Sequence, residues 1–342
     1  MDTANGSGDL SSQMELDAFR RLFPLRFHER YLGESIRPDG RALGEARHTT
    51  VVLGSVASAD GSALVKIGST TMLAAIKVEV MTPSADSPDE GSIAVEFHMP
   101  PICSSLVRPG RPAEAAPVIS KQLSDTIASS GMIDLKDLCL ASGKAAWMAY
   151  LLLNLVVAYG ELGLASIAAE HALLRTSASE YLIILQDIYC LDADGALFDA
   201  ALLSAVAAFS HLEIPLASLN DDGRVVLGTK KKNKNGVPEP ENEPVTKEEK
   251  RKLHLNSVPF SLSCILHKNY ILADPTAEEE VIMETVLNVV LDSSYQLVSL
   301  YKPGGPALAS TSVIQDCVAL TKQRVNQLKN ILNEAISDMD VD

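Results

Sequence analysis

One cluster of side chains stands out for chemistry: Asp274 followed by Glu278, Glu279 and Glu280, four carboxylates within seven residues. Hard cations such as magnesium take carboxylate oxygens, so this spacing could hold a metal for phosphoryl transfer. The competing reading is a turn at Asp274-Pro275-Thr276 with the glutamates on a solvated edge. No base or phosphate clamp accompanies them in sequence, which such a reaction requires. Solvated surface is the expectation, with no metal, no cofactor and no catalytic residue. Other reactive types are scattered. His28, His48, His98 and His211 lack ligand spacing, and the five cysteines (103, 139, 190, 264 and 317) contain no C-x-x-C pair. An odd, dispersed cysteine set fits a reducing intracellular compartment. The single tryptophan, Trp147, reads as a core residue.

The chain that must position these groups has 342 residues and a formal net charge of −15, from 29 Lys and Arg against 44 Asp and Glu. Its 46% hydrophobic content can bury a core, which excludes disorder for the bulk of the chain. Phosphate affinity comes chiefly from clustered cations, so an acidic chain is not expected to bind nucleic acid unaided. Met1 to Gln13 has neither a basic nor an apolar region, and no signal peptide is read. The longest apolar run, Met148 to Gly160, is shorter than the roughly 20 residues a spanning helix needs.

Periodicity predicts an α+β chain with antiparallel or mixed sheets and packed helices. Leu16, Phe19, Phe23 and Phe27 predict a helix over 15–32, broken at Pro24. Strands are expected at 49–58, 62–67 and 70–80, with hairpin turns at Asp60-Gly61 and Gly68-Ser69. Further strands are expected at 93–99, 144–151, 187–191, 255–266, 270–273, 281–291 and 296–301, and helices at 118–129, 196–209 and 310–337. Residues 228–252, with Lys230-Lys231-Lys232-Asn233-Lys234 and three prolines, read as a solvated loop. Its lysines could serve nuclear import.

Several motifs in order resemble the RNase PH-like proteins. They are Arg37-Pro38-Asp39-Gly40-Arg41, Ser58-Ala59-Asp60-Gly61, Pro100-Pro101-Ile102-Cys103-Ser104-Ser105, the run Asp187 to Gly195, Ala273-Asp274-Pro275-Thr276 and Lys302-Pro303-Gly304-Gly305. Among these proteins the chain is most similar to the non-catalytic ring subunits of the eukaryotic RNA exosome. The resemblance implies an RNase PH-like fold (ribosomal protein S5 domain 2-like). It divides the chain into an N-terminal extension at 1–36, a first RNase PH domain at 37–227, the charged loop at 228–252 and a second domain at 253–342. It also implies sister RNase PH-like subunits and OB-fold cap proteins as partners, RNA passing through the ring channel, and no membrane. The nucleus, including the nucleolus, and the cytoplasm are the implied locations.

Active relatives place Gly, then Thr or Ser, then Arg at the start of a helix, where helix N-terminus and guanidinium both favour an oxyanion. Here the run is Gly195-Ala196-Leu197-Phe198-Asp199, without hydroxyl or Arg and with an added anion. The resemblance therefore implies a structural subunit for RNA degradation and processing rather than a phosphate-dependent 3′–5′ exoribonuclease, the alternative. Archaeal counterparts present two Arg one helical turn apart near the channel; the matching positions are Lys121 and Asp125. Lys121, with Arg108 and Arg111 in the preceding loop, are the RNA-binding candidates, set against plain solvation.

Residues 152–186 depart from the family. They separate Trp147–Leu151 from Asp187, which relatives join as one strand, and their junctions carry no Gly or Pro. Insertions are tolerated least inside a strand. The segment reads as a translated retained intron, a gene-model error or a splice variant; a genuine helical excursion is the alternative. Residues 93–99 and 281–301 are the expected assembly contacts, since strand edges invite pairing.

Overall fold

The computed structural model describes residues 6–81, 89–99, 113–141, 145–155, 193–215, 217–219, 225–227, 250–283 and 285–339. Arg108, Arg111, the expected strand at 187–191 and most of 152–186 and of 228–252 lie outside them. The chain opens with helices α1 (Gly6–Leu22) and α2 (Pro24–Leu32), split at Pro24 as expected. Proline at the first helical position is tolerated because that N–H has no partner anyway.

A first sheet follows from β1 (Thr49–Leu53), β2 (Gly61–Ile67), β3 (Thr70–Met81), β4 (Ser92–His98), β5 (Cys139–Ala141) and β6 (Ala145–Leu155). Its order is β1-β2-β3-β6-β4, with β5 also on β6. All pairs are antiparallel except β4 on β6. Gly68 turns the β2–β3 hairpin at φ 58°, pairing Ile67 with Thr70. Asp60-Gly61 is not a tight turn: Leu53 pairs with Ala63, so seven residues connect the strands and Gly61 already belongs to β2. Glycine is needed there for another reason. A Cβ at position 61 would lie 2.8 Å from the Ala208 carbonyl oxygen, in the helix packed above.

Helix α3 (Ala115–Ser130) packs on β4, burying Ile119, Leu123 and Ile127 as the spacing predicts. Helix α4 (Leu197–His211) is the centre of the molecule. Every residue from Phe198 to Phe209 is buried, because α4 touches β2 and β3 on one side and the second sheet on the other. A helix apolar all round is a buried helix. After the short strands β7 (Glu213–Pro215), β8 (Ala217–Leu219), β9 (Val225–Leu227) and β10 (Lys250–Lys252), the second sheet forms. It comprises β11 (Phe260–His267), β12 (Tyr270–Ala273), β13 (Val286–Leu291) and β14 (Leu297–Tyr301), in the order β12-β11-β13-β14, all antiparallel.

The expected strand over 281–291 is two elements. Helix α5 (Ala277–Met283) takes its first part and β13 the second. The cause is local: Thr276 and Glu279 form a reciprocal capping box, each side chain bound to the other's backbone N–H. Helix α6 (Thr311–Met339) closes the molecule, burying Cys317, Val325, Leu328 and Leu332 against β1, β11 and β13. One continuous apolar cluster runs from Ala63 in the first sheet to Leu332 in α6.

Candidate functional site

The start of α4 is where the two sheets and α5 converge, and ionisable groups concentrate there. Ala196, just before the helix, adopts the left-handed conformation at φ 48° and ψ 39°. Gly195 beside it is also left-handed, at φ 70°, and a Cβ there would lie 2.5 Å from the Pro275 carbonyl oxygen. The backbone is therefore pressed against the Asp274–Ala277 segment. Thr70 fixes it from the other side, donating to Gly195 O at 3.0 Å and accepting from Asp194 N at 3.2 Å.

In this geometry the free N–H groups of the helix face the chain's own carboxylates. Ala196 N donates to Glu280 Oε1 at 2.8 Å. Asp199, in the first turn, is buried and accepts from Ser263 N at 2.6 Å. Its Oδ1 has no well-directed donor, although the Ser261 hydroxyl lies close. Burial pushes Asp199 up to about 6. Burial also pushes Glu280 up to about 7, reinforced by the charges of Asp199 and Asp274.

The cations of the cluster are spent on other acids. Arg47 donates to Asp274 Oδ1 at 2.7 Å through Nη2 and to Oδ2 at 3.0 Å through Nε, and its backbone N–H reaches Oδ2 at 2.6 Å. It also meets Asp194 Oδ2 at 3.2 Å. Burial works against both charges of the Arg47–Asp274 pair. Their mutual hydrogen bonds outweigh it, holding Asp274 below and Arg47 above their usual ranges. Arg37, 0% exposed, forks onto Glu279, 2% exposed, with Nε to Oε1 at 3.0 Å and a second bond from Nη2 to Oε2. Its remaining donors reach Ala273 O at 2.7 Å and Asp274 O at 3.1 Å. Arg324, on α6, donates to Thr49 Oγ1 at 2.6 Å, and burial lowers its pKa.

These observations correct the expectation for the acidic run. Asp274 and Glu279 are not on a solvated edge; they are buried partners of Arg47 and Arg37. Only Glu278 is near the surface, bound by Arg20 of α1. The carboxylates do not fit a magnesium ion either. Both Asp274 oxygens and both Glu279 oxygens already accept from guanidinium groups, and Glu280 caps Ala196. Arg37 and Arg47 were missed by sequence reasoning, which took Arg37-Pro38-Asp39-Gly40-Arg41 for a turn alone. The available signal was an unusual density of Arg, at 37, 41 and 47, in a chain dominated by acids.

Lys121 stands apart from this cluster. It is exposed on α3, with Nζ 3.3 Å from Asp125 Oδ1, so its charge is shared with the acid one turn on. Such exposed i,i+4 pairs are worth only about 0.3–0.5 kcal/mol and open readily.

Comparison with known proteins places this arrangement in context. Residues 45–215 match the 3′ exoribonuclease family, domain 1, and residues 257–324 match domain 2 of that family. The chain is 27% identical over 325 residues to the exosome complex component rrp43 of Schizosaccharomyces pombe, covering 95% of this chain and 100% of that protein. It is 30% identical over 293 residues to the exosome complex component Rrp42 of Methanopyrus kandleri, covering 86% and 89% of the two. In fold it resembles a chain of the Archaeoglobus fulgidus exosome with RNA bound to the active site, at a TM-score of 0.67 and 22% identity over 93% of this chain and 98% of that one.

Proposed function

The chain belongs to the 3′ exoribonuclease family of RNase PH-like proteins, and from that premise we propose that it is a ring subunit of an RNA exosome without a catalytic centre of its own. The carrying observation is the start of α4. A phosphate there would need the Ala196 N–H and a cation, but the N–H is bound to Glu280 and the nearest guanidinium, Arg47, is bound to Asp274. Two carboxylates in the first turn's surroundings, Asp199 and Glu280, would repel the anion as well. The relatives named exosome components support the ring assignment, since one of them aligns over its entire length.

In this reading residues 37–227 and 253–342 are the two RNase PH domains, with 1–36 as an extension and 228–252 as a charged loop. The Arg47–Asp274 and Arg37–Glu279 pairs then lock one domain to the other. Partners are sister RNase PH-like subunits and OB-fold cap proteins. RNA passes through the shared channel toward 3′–5′ degradation and processing, in the nucleus, nucleolus and cytoplasm. Arg108, Arg111 and Lys121 are the contacts this chain would offer, with the channel's positive charge supplied mainly by its neighbours.

Native mass spectrometry of the tagged protein's endogenous complex tests the assignment. The expected result is one copy of this chain in a six-membered ring of RNase PH-like subunits with its caps. A free monomer or a homo-oligomer would overturn it.

A further inference from the structure

Far from the α4 cluster, helices α1 and α2 enclose an open cleft of about 210 Å³ lined by Leu16, Phe19, Phe27, Arg30, Tyr31 and Glu34. Sites that enclose a small molecule run to roughly 300–1,000 Å³, so this cleft has room for a side chain rather than a cofactor. The hairpin around it is rigidly placed. Phe27 is buried and stacks edge-on with Phe19 and tilted with Tyr31, and Arg20 ties α1 to Glu278 on α5. It nevertheless leaves large apolar side chains in solvent: Leu22 is 71% exposed, and Leu16, Phe23 and Leu25 are also exposed. Contiguous exposed apolar groups of this kind mark interaction surfaces.

Charge selects the occupant. From Phe19 to Tyr31 there are four arginines (20, 21, 26 and 30) against one acid, Glu29, in a chain whose net charge is −15. Arg20 is used by Glu278, whereas Arg21, Arg26 and Arg30 make no ion pair among the described residues. Arg26 and Arg30 lie one turn apart, on the α2 face that borders the cleft. We propose that this cleft receives one large apolar side chain from an acidic segment of another protein, with Arg26 and Arg30 pairing the flanking carboxylates. RNA fits less well. The Phe27 and Phe23 rings already carry guanidinium groups, of Arg20 and Arg26, at 5.8 Å from their centroids. That leaves no open aromatic face for a base, and Glu34 on the cleft wall would repel phosphate. A second copy of this chain fits poorly too, since two bodies of charge −15 repel.

The test places a photo-reactive residue in the cleft, as Glu34→p-benzoylphenylalanine, in the full chain within cells that express it. The cross-linked segment is then sequenced. The expected product is a segment of another protein rich in Asp and Glu, joined at or beside a Leu, Ile, Met or Phe. A synthetic peptide of that sequence should bind the purified full chain, and Arg26→Glu with Arg30→Glu should weaken its Kd at least tenfold while helix content is unchanged. Cross-links to RNA, to a second copy or to a basic segment, or none at all, would overturn the proposal. So would a charge reversal that costs less than tenfold. None of these outcomes depends on whether the ring contains this chain.

Discussion

The carboxylates around the start of α4 are pulled in opposite directions, and that gives the protein a stability profile which single substitutions can read. Asp274 is held below its ordinary range by Arg47, so its contribution is present above that range and lost as acid protonates it. Glu280, pushed up to about 7, and Asp199, up to about 6, behave inversely. Their folded-state pKa values exceed those of the unfolded chain, so stability is greatest below the ordinary carboxylate range and falls as pH rises through 6 and 7. Glu280→Gln keeps an acceptor for the Ala196 N–H and removes the charge. It should stabilise the protein by on the order of 1–3 kcal/mol at pH 8 and by much less at pH 5. Urea denaturation at both pH values measures this, and equal effects at the two would contradict it. Arg47→Met leaves Asp274 buried and unpaired, which costs about 3–5 kcal/mol. Adding Asp274→Asn should recover part of that loss, measured as a coupling in a double-mutant cycle. The sequence disclosed the acids but not their burial, because three glutamates in a row are usually solvated. Their partners sit more than 200 residues earlier, beyond any local pattern.

At the level of elements, what could be read in advance followed from periodicity and turn chemistry. The Pro24 break, the β2–β3 hairpin, α3 and α6 all emerged near their expected bounds. Residues 281–283 did not, since Val281, Ile282 and Met283 look like strand until Thr276 and Glu279 are seen to cap a helix across them. Strand β6 bears on the departure at 152–186. It runs four residues into that segment, pairing Leu152 with Ala75 and Leu155 with Met72. The chain returns at Asp194, whose N–H is bound to Thr70, two residues further along β3. A strand advances about 3.3 Å per residue, so two or three residues would bridge that gap. Deleting 152–186 would bring Asp187-Ile188-Tyr189-Cys190 into the register of Leu152–Leu155, with Ala193 to Gly195 still in reach of Thr70. The shortened protein should fold with a melting temperature equal to or above that of the full chain. An insoluble or molten product would show that the segment supports the fold.

For the whole molecule, the free sheet edges decide how a subunit joins its neighbours. Of the expected contacts, β4 has its Phe97 side chain buried in the core at 4% exposure, so substituting it would damage the fold rather than an interface. Strand β14 is the cleaner candidate: it edges the second sheet, and Leu297, Leu300 and Tyr301 are exposed. Leu297→Glu with Leu300→Glu should abolish co-purification with partner subunits while the circular dichroism spectrum is retained; normal assembly would remove β14 from the interface. Obligate partners also leave an isolated subunit marginally stable, so melting should rise on assembly. The most direct test of the central claim, a family fold whose phosphate position is filled by its own carboxylates, is turnover by the purified chain. Incubated with oligo(A), phosphate and magnesium, it should release no nucleoside diphosphate above background. Phosphate-dependent release that disappears when Asp274 or Glu280 is replaced would contradict the account.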